Sequence, residues 1–325
     1  MLLGASVQAS FAQTCTTQQN MSSELYAALS EKALEIATAI KAGDVAKVQA
    51  ATAVDLLGNF NSTQYLVTTT APSLAGDTLR VTQLYQLDAS KRTPGDTSEA
   101  DFTCPLSGKT SEVDFGISGL SAGIYAFAMV EAQGGARPWL ISILLRKDGA
   151  AWRMAGLYTH ARTAAGHDGL WYWTTARADA KARQNWLAWL LYGEAASLLR
   201  PTNFVATSNL ENLLGEQHDA LPSEISDGLS PDTPLVLKGA DGAEFRFTSI
   251  SAEGSDDGQR LNLTLHIKVD SVADTARARA NNAAAAKAFL DAHKDLRTAF
   301  AAVFVFADAP GSSPFPTEQK MSEIP

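Results

Sequence analysis

The chain has 325 residues, 46% of them hydrophobic and 19% charged, which is enough for two domains with ordinary cores. Its formal charge of −9 argues against nucleic acid as a partner, because phosphate binding needs a basic face to displace counterions. The charge also disfavours electrostatic docking to an anionic membrane, and no later apolar run approaches the roughly 18 residues of a transmembrane segment.

The first residues, MLLGASVQASFA, resemble the end of a secretory signal. Apolar Leu2 to Val7 leads to Ser10 and Ala12, small residues placed for a cut before Gln13, although a basic n-region is missing. Residues 1–12 are therefore expected to be a signal remnant on an exported protein, periplasmic or extracellular. The two cysteines are Cys15 and Cys104, and an even pair in an exported chain suggests a disulfide. The alternative is two unrelated thiols. Their spacing fits no metal or redox motif.

Residues 22–42 read as an amphipathic helix, with Leu25, Leu29, Ala33, Ile36 and Ile40 recurring at three- and four-residue spacing. Gly43 suits the position after a helix, and Asp44 can cap a second one over 44–58. Strand patterns follow at 79–87, around Phe102 to Cys104, and at 112–118, 122–132, 138–147 and 151–161. Gly134-Gly135 and Asp148-Gly149 mark tight turns, since glycine adopts the positive φ that such turns need. The pattern is helices first, then an antiparallel meander.

Two N-terminal helices joined through KAGD, followed by a meander ending in LLRKDGAAWRMAGLY, resemble the nuclear-transport-factor-2-like superfamily of cone-shaped α+β domains. The resemblance covers residues 22–161. It implies N-terminal helices packed on a curved antiparallel sheet with a cavity between them. Members of that superfamily include isomerases, dehydratases and cyclases as well as non-catalytic binding domains.

Beyond the meander, residues 173–200 read as one apolar, Ala-rich helix, and Ser208 with Glu211 forms a capping box for a short helix at 209–215. Strands are expected at 242–252 and 259–269, turning at Asp257-Gly258, then a helix over 275–297 and a buried strand at 301–307. On its strand, His266 is expected to face solvent. The fold class is α+β, organised as a cone-like domain (13–163), a helical connector (164–220) and a linker (221–234). A second small α+β domain (235–309) and an extended tail (310–325) complete it.

Strand alternation places Trp152, Met154, Tyr158 and His160 on one side of their strand, with Gly156 leaving a gap. Trp139 shares a face with Ile141, Ile143 and Leu145, while Tyr125 and Phe127 share one on the strand before. If these faces converge under the helices, they line an apolar cavity in which Tyr158 and His160 are the polar fixtures. The alternative is that the aromatics fill the core. A catalytic reading would use His160 as general base with Tyr158 or Asp168. No GxSxG, HExxH, phosphate-binding or GxGxxG motif is present, and His160, His167 and Asp168 match no recurrent metal spacing.

The expectation is a non-enzymatic exported binding protein that calls for no cofactor or metal. It would take a small apolar molecule in the cone, or a protein partner. The rivals are an isomerase, dehydratase or hydrolase using His160, and a structural or assembly factor of the envelope.

Overall fold

The computed structural model describes residues 13–106 and 111–324, so the expected signal remnant lies outside the described residues. The fold is α+β, divided into two compact units. The first comprises the chain up to His160 together with Arg200–Asn209, and the second comprises Ala161–Leu199 and Leu210 onward. The chain thus passes between units three times. Among the described residues, no helix is long and apolar enough to cross a membrane.

The first unit begins with β1 (Thr14–Thr17) and then three helices, α1 (Ser23–Lys41), α2 (Val45–Ala51) and α3 (Asn61–Thr70). Ser22 and Asp44 cap the first two, accepting from the amides of Leu25 and Lys47. Gly43, at φ 66°, makes the turn between them. The helix expected over 44–58 ends at Ala51, because the next residues pair elsewhere: the Ala53 amide donates to the Met154 carbonyl at 2.9 Å. Helix α3 is not evident in the sequence. Its NSTQYLVTTT run is rich in β-branched and short polar residues, and the Thr68 and Thr69 hydroxyls bond back to the Tyr65 carbonyl. Burial of Val67 and Thr70 holds it in place.

The strands that follow are β2 (Thr78–Asp88), β3 (Ala100–Pro105), β4 (Glu112–Ile117), β5 (Ile124–Gln133), β6 (Trp139–Asp148) and β7 (Ala151–Ala161). They form two sheets. One has the order β1-β2-β5-β6-β7. The other has the order β10-β4-β3, where β10 (Val205–Thr207) arrives from much later in the chain.

The five-stranded sheet is buried on both faces. Ala126, Ala128, Val130, Ile141, Ile143 and Leu145 meet Leu29, Ile36, Ile40 and Val67 of the helices. Tyr125, Phe127 and Leu144 meet Phe102, Cys104, Phe115 and Val205 of the three-stranded sheet. Cys15 and Cys104 are disulfide-bonded with Cα atoms 5.3 Å apart, tying the edge strand of one sheet to the other sheet.

The second unit starts with a two-residue hairpin, β8 (Thr163–Ala164) and β9 (His167–Asp168), then α4 (Gly169–Lys181) and α5 (Asn185–Leu199). The single helix expected over 173–200 is therefore two. Arg183, at φ 62°, breaks it, and the Gln184 amide reaches back to the Asp179 carbonyl in a helix-terminating turn. Further on come α6 (Ser208–Asp219), β11 (Leu235–Lys238), β12 (Glu244–Gly254), β13 (Leu261–Lys268), α7 (Thr275–Ala292), β14 (Ala302–Asp308) and β15 (Phe315–Lys320). The strands form one sheet in sequence order, antiparallel except for the β13–β14 pair, which α7 connects.

Two domain assignments change. The helices expected to be a connector belong to the core of the second unit. Helix α5 is apolar nearly all round, as a buried helix must be, and its Trp186 packs edge-on to Phe289 at 5.5 Å. The expected extended tail contains strand β15, which pairs antiparallel with β14 and is further held by one buried side chain. The Asn282 amide donates to the Val305 carbonyl (3.0 Å), the Phe315 carbonyl (3.1 Å) and the Thr317 hydroxyl (3.1 Å). The expected linker also holds a 3₁₀ turn, Ser223–Ile225, that buries Ile225.

Candidate functional site

The residues expected to line one cavity divide between the two faces of the five-stranded sheet. Trp139, Trp152 and Met154 pack on the helix side, among Leu29, Ile36, Val48 and Phe60. Tyr125 and Phe127 pack on the opposite side. Tyr158 joins them, because the strict alternation assumed for β7 slips by one residue: Met154 and Leu157 face the helices, whereas Ala155 and Tyr158 face the other way. The slip centres on Gly156. A Cβ there would lie 3.2 Å from the Tyr158 ring and 3.3 Å from Leu144, so any larger residue would crowd that ring.

These aromatics are therefore core. Tyr85, Phe115, Phe127, Phe204 and Tyr158 make successive edge-on contacts, with centroids 5.2, 5.4, 5.7 and 5.3 Å apart. The Tyr125 hydroxyl is engaged with Ser121, and burial pushes the Tyr158 phenol above its ordinary range.

The acid of the catalytic alternative has a local structural role. Asp168 is the N-cap of α4 and accepts from the Trp171 amide at 2.8 Å. His167 stacks on Trp171 with centroids 3.7 Å apart. His160 is half-buried at the end of β7. Replacing Asp168 with alanine is expected to lower the second unit's stability by about 1 kcal/mol, the ordinary worth of an N-cap. An unchanged denaturation midpoint would show that the cap contributes nothing. Among the described residues, no group of three or more His, Cys, Asp or Glu side chains could hold a metal ion.

A cleft of about 380 Å³ lies in the second unit, where β13 ends and α7 begins. Its floor is apolar, formed by Phe245, Ile267, Ala278 and Ala307. Its walls are charged. Antiparallel pairing brings the start of β12, with Glu244 and Arg246, beside Lys268 at the end of β13. The following loop adds Asp270 and Ser271. Asp274 caps α7 by accepting from the Arg277 amide at 3.0 Å, and this fixes the helix phase so that Arg277 and Asn281 project into the cleft.

Glu244 pairs with Lys238 at 3.4 Å, and the Lys268 ammonium reaches the Pro231 carbonyl at 3.4 Å. Among the described residues, neither Arg246 nor Arg277 takes part in an ion pair. The lining contains no histidine, cysteine or tyrosine, and the Ser271 hydroxyl accepts from the Ala273 amide at 3.2 Å. The cleft can therefore hold and orient a polar molecule, but its lining offers no nucleophile with an adjacent base. On the same strand His266 is not free in solvent, as its alternation suggests. It is half-buried, 2.9 Å from Asp308 and stacked on Phe306.

The sequence carried one unused signal for this cleft. Arg277 and Arg279 stand near the N-terminus of α7, where the helix dipole disfavours cations. Arg279 lies over the Phe315 ring at 5.9 Å, which leaves Arg277 as the one of the two that lines the cleft.

Compared with known proteins, the chain matches no family model, no curated protein and no solved structure.

Proposed function

We propose that this is an exported binding protein without catalytic activity of its own, whose ligand is a small polar molecule held in the β13–α7 cleft. The observation that carries the reading is the lining of that cleft. Arg246, Lys268 and Arg277 line it together with Glu244, Asp270 and Asp274, around the apolar Phe245, Ile267, Ala278 and Ala307. Cations and carboxylates in equal number suit a zwitterion better than a simple anion or a hydrocarbon. An apolar ligand under the helices of the first unit is the weaker reading, since Trp139, Trp152 and Met154 pack there against Leu29, Ile36 and Phe60.

Export is supported by the disulfide, which persists in oxidising compartments, and by the small residues before Gln13. The nuclear-transport-factor-2-like reading of the first unit is supported by its helix layer against an antiparallel sheet. The additional β10-β4-β3 sheet on the other face is the feature that sets it apart.

The test is native mass spectrometry of the protein recovered from its source cells, followed by calorimetric titration with the small molecule it carries. Arg246→Ala and Arg277→Ala are each expected to weaken binding roughly 10- to 100-fold, the worth of one charge-assisted hydrogen bond. Equal binding by the double variant would sink the cleft as the site. A mature chain retaining residues 1–12 in a reducing compartment would sink export.

A further inference from the structure

Where α7 ends, His293 is 4% exposed, with its ring 4.7 Å from Trp186 of α5 and 4.6 Å from Phe289. Its Nε2 is fully buried and has no hydrogen-bond partner. The Trp186 indole N–H donates to a Glu224 carboxylate oxygen, which anchors the 3₁₀ turn Ser223–Ile225 to α5. Ile225, 2% exposed, seats the same turn in the core.

Two carboxylates act on the imidazole, Glu224 from that turn and Asp295 from the 3₁₀ turn Lys294–Thr298. The basic residues of the latter turn are Lys294 and Arg297. Arg297 is committed to Asp291 and to the Ile324 carbonyl, and Asp291 also takes Lys287. Among the charges acting on the ring, Glu224 is the one whose carboxylate is held by a neutral donor.

We propose that His293, Trp186 and Glu224 form an acid-operated latch, in which a protonated His293 draws Glu224 off the Trp186 indole and frees the turn over residues 222–226. A proton from solvent gives the ring a second N–H and a positive charge inside an apolar enclosure. That state is tolerable only if a carboxylate meets it. Glu224 then exchanges a neutral donor for a charged one, and the indole loses its acceptor.

Burial holds the His293 imidazole below its ordinary value, against the upward pull of Glu224 and Asp295. The opened state, with a more ordinary histidine, therefore binds protons first as pH falls. The latch is fully closed above about pH 6.5 and loses stability progressively below it.

The experiment follows the Trp186 indole ¹H–¹⁵N resonance of the full chain between about pH 7.5 and about pH 5, together with amide exchange. Trp186→Phe assigns the resonance. One titration below about pH 6.5 is expected, with exchange protection of the Ile225 and Ser226 amides falling at least about 10-fold after correction for intrinsic rates. His293→Phe keeps an aromatic ring and should abolish both changes. Glu224→Gln keeps an acceptor for the indole but no charge, and should largely flatten the indole titration even if His293→Phe fails to fold. A pH-invariant indole resonance, or an unaltered titration in either variant, overturns the latch.

Discussion

Replacing Cys15 and Cys104 together with serine is expected to lower the first unit's stability by up to about 4–5 kcal/mol, the loop-closure entropy of a link spanning 89 residues. The magnitude follows from what the bond joins. Cys15 lies in β1, an edge strand paired with β2. Cys104 is fully buried in β3, between the sheets. Without the bond, β1 keeps its four paired residues but loses its tether to the second sheet. Guanidinium denaturation of oxidised, reduced and doubly substituted protein reads the effect. Coincident midpoints would show that the pairing of β1 suffices and the bond contributes nothing. Strain in the native state would reduce the loss, so the figure is an upper bound.

Val205→Asp is the second large effect, at about 3–5 kcal/mol. Val205 opposes Phe115 across the β10–β4 ladder and is 4% exposed in the core between the sheets. A carboxylate there would be taken out of water into the core and would also replace a well-packed side chain. Phe204 beside it bridges Phe127 and Tyr158, so the ten residues Arg200–Asn209 act as part of the first unit although they follow α5 and run into the first turn of α6 in the chain. Asn203→Ala, on an exposed residue of the same segment, should stay within about 0.5 kcal/mol. If Val205→Asp unfolded at the wild-type midpoint, β10 would not be an integral strand.

Local patterns were legible wherever burial follows a single period. The spacing of Leu29, Ala33, Ile36 and Ile40 marked α1, and the strands of the meander appear close to where their β patterns stand. The cap at Asp44 was legible too, because its geometry lies within a few residues. The expected pocket failed for a physical reason. A period-two argument holds only while the alternation is unbroken, and one glycine shifted Tyr158 to the face opposite Met154. A sheet covered on both faces also gives no alternation of polarity to say which aromatic row faces which layer.

The cleft was hidden differently. Its residues come from β12, the end of β13 and the first turns of α7, short stretches whose charges read locally as ordinary surface. The sequence by itself determined the α+β class, the two-unit scale, most helices and strands, and a pair of cysteines suited to one bond. Only the tertiary structure decided that a late segment completes the first unit, that the tail closes the second sheet, and that the supposed connector is core. Those outcomes depend on contacts across many intervening residues, whose pairing is chosen by the energy of the whole packed assembly and leaves no periodic trace in the chain.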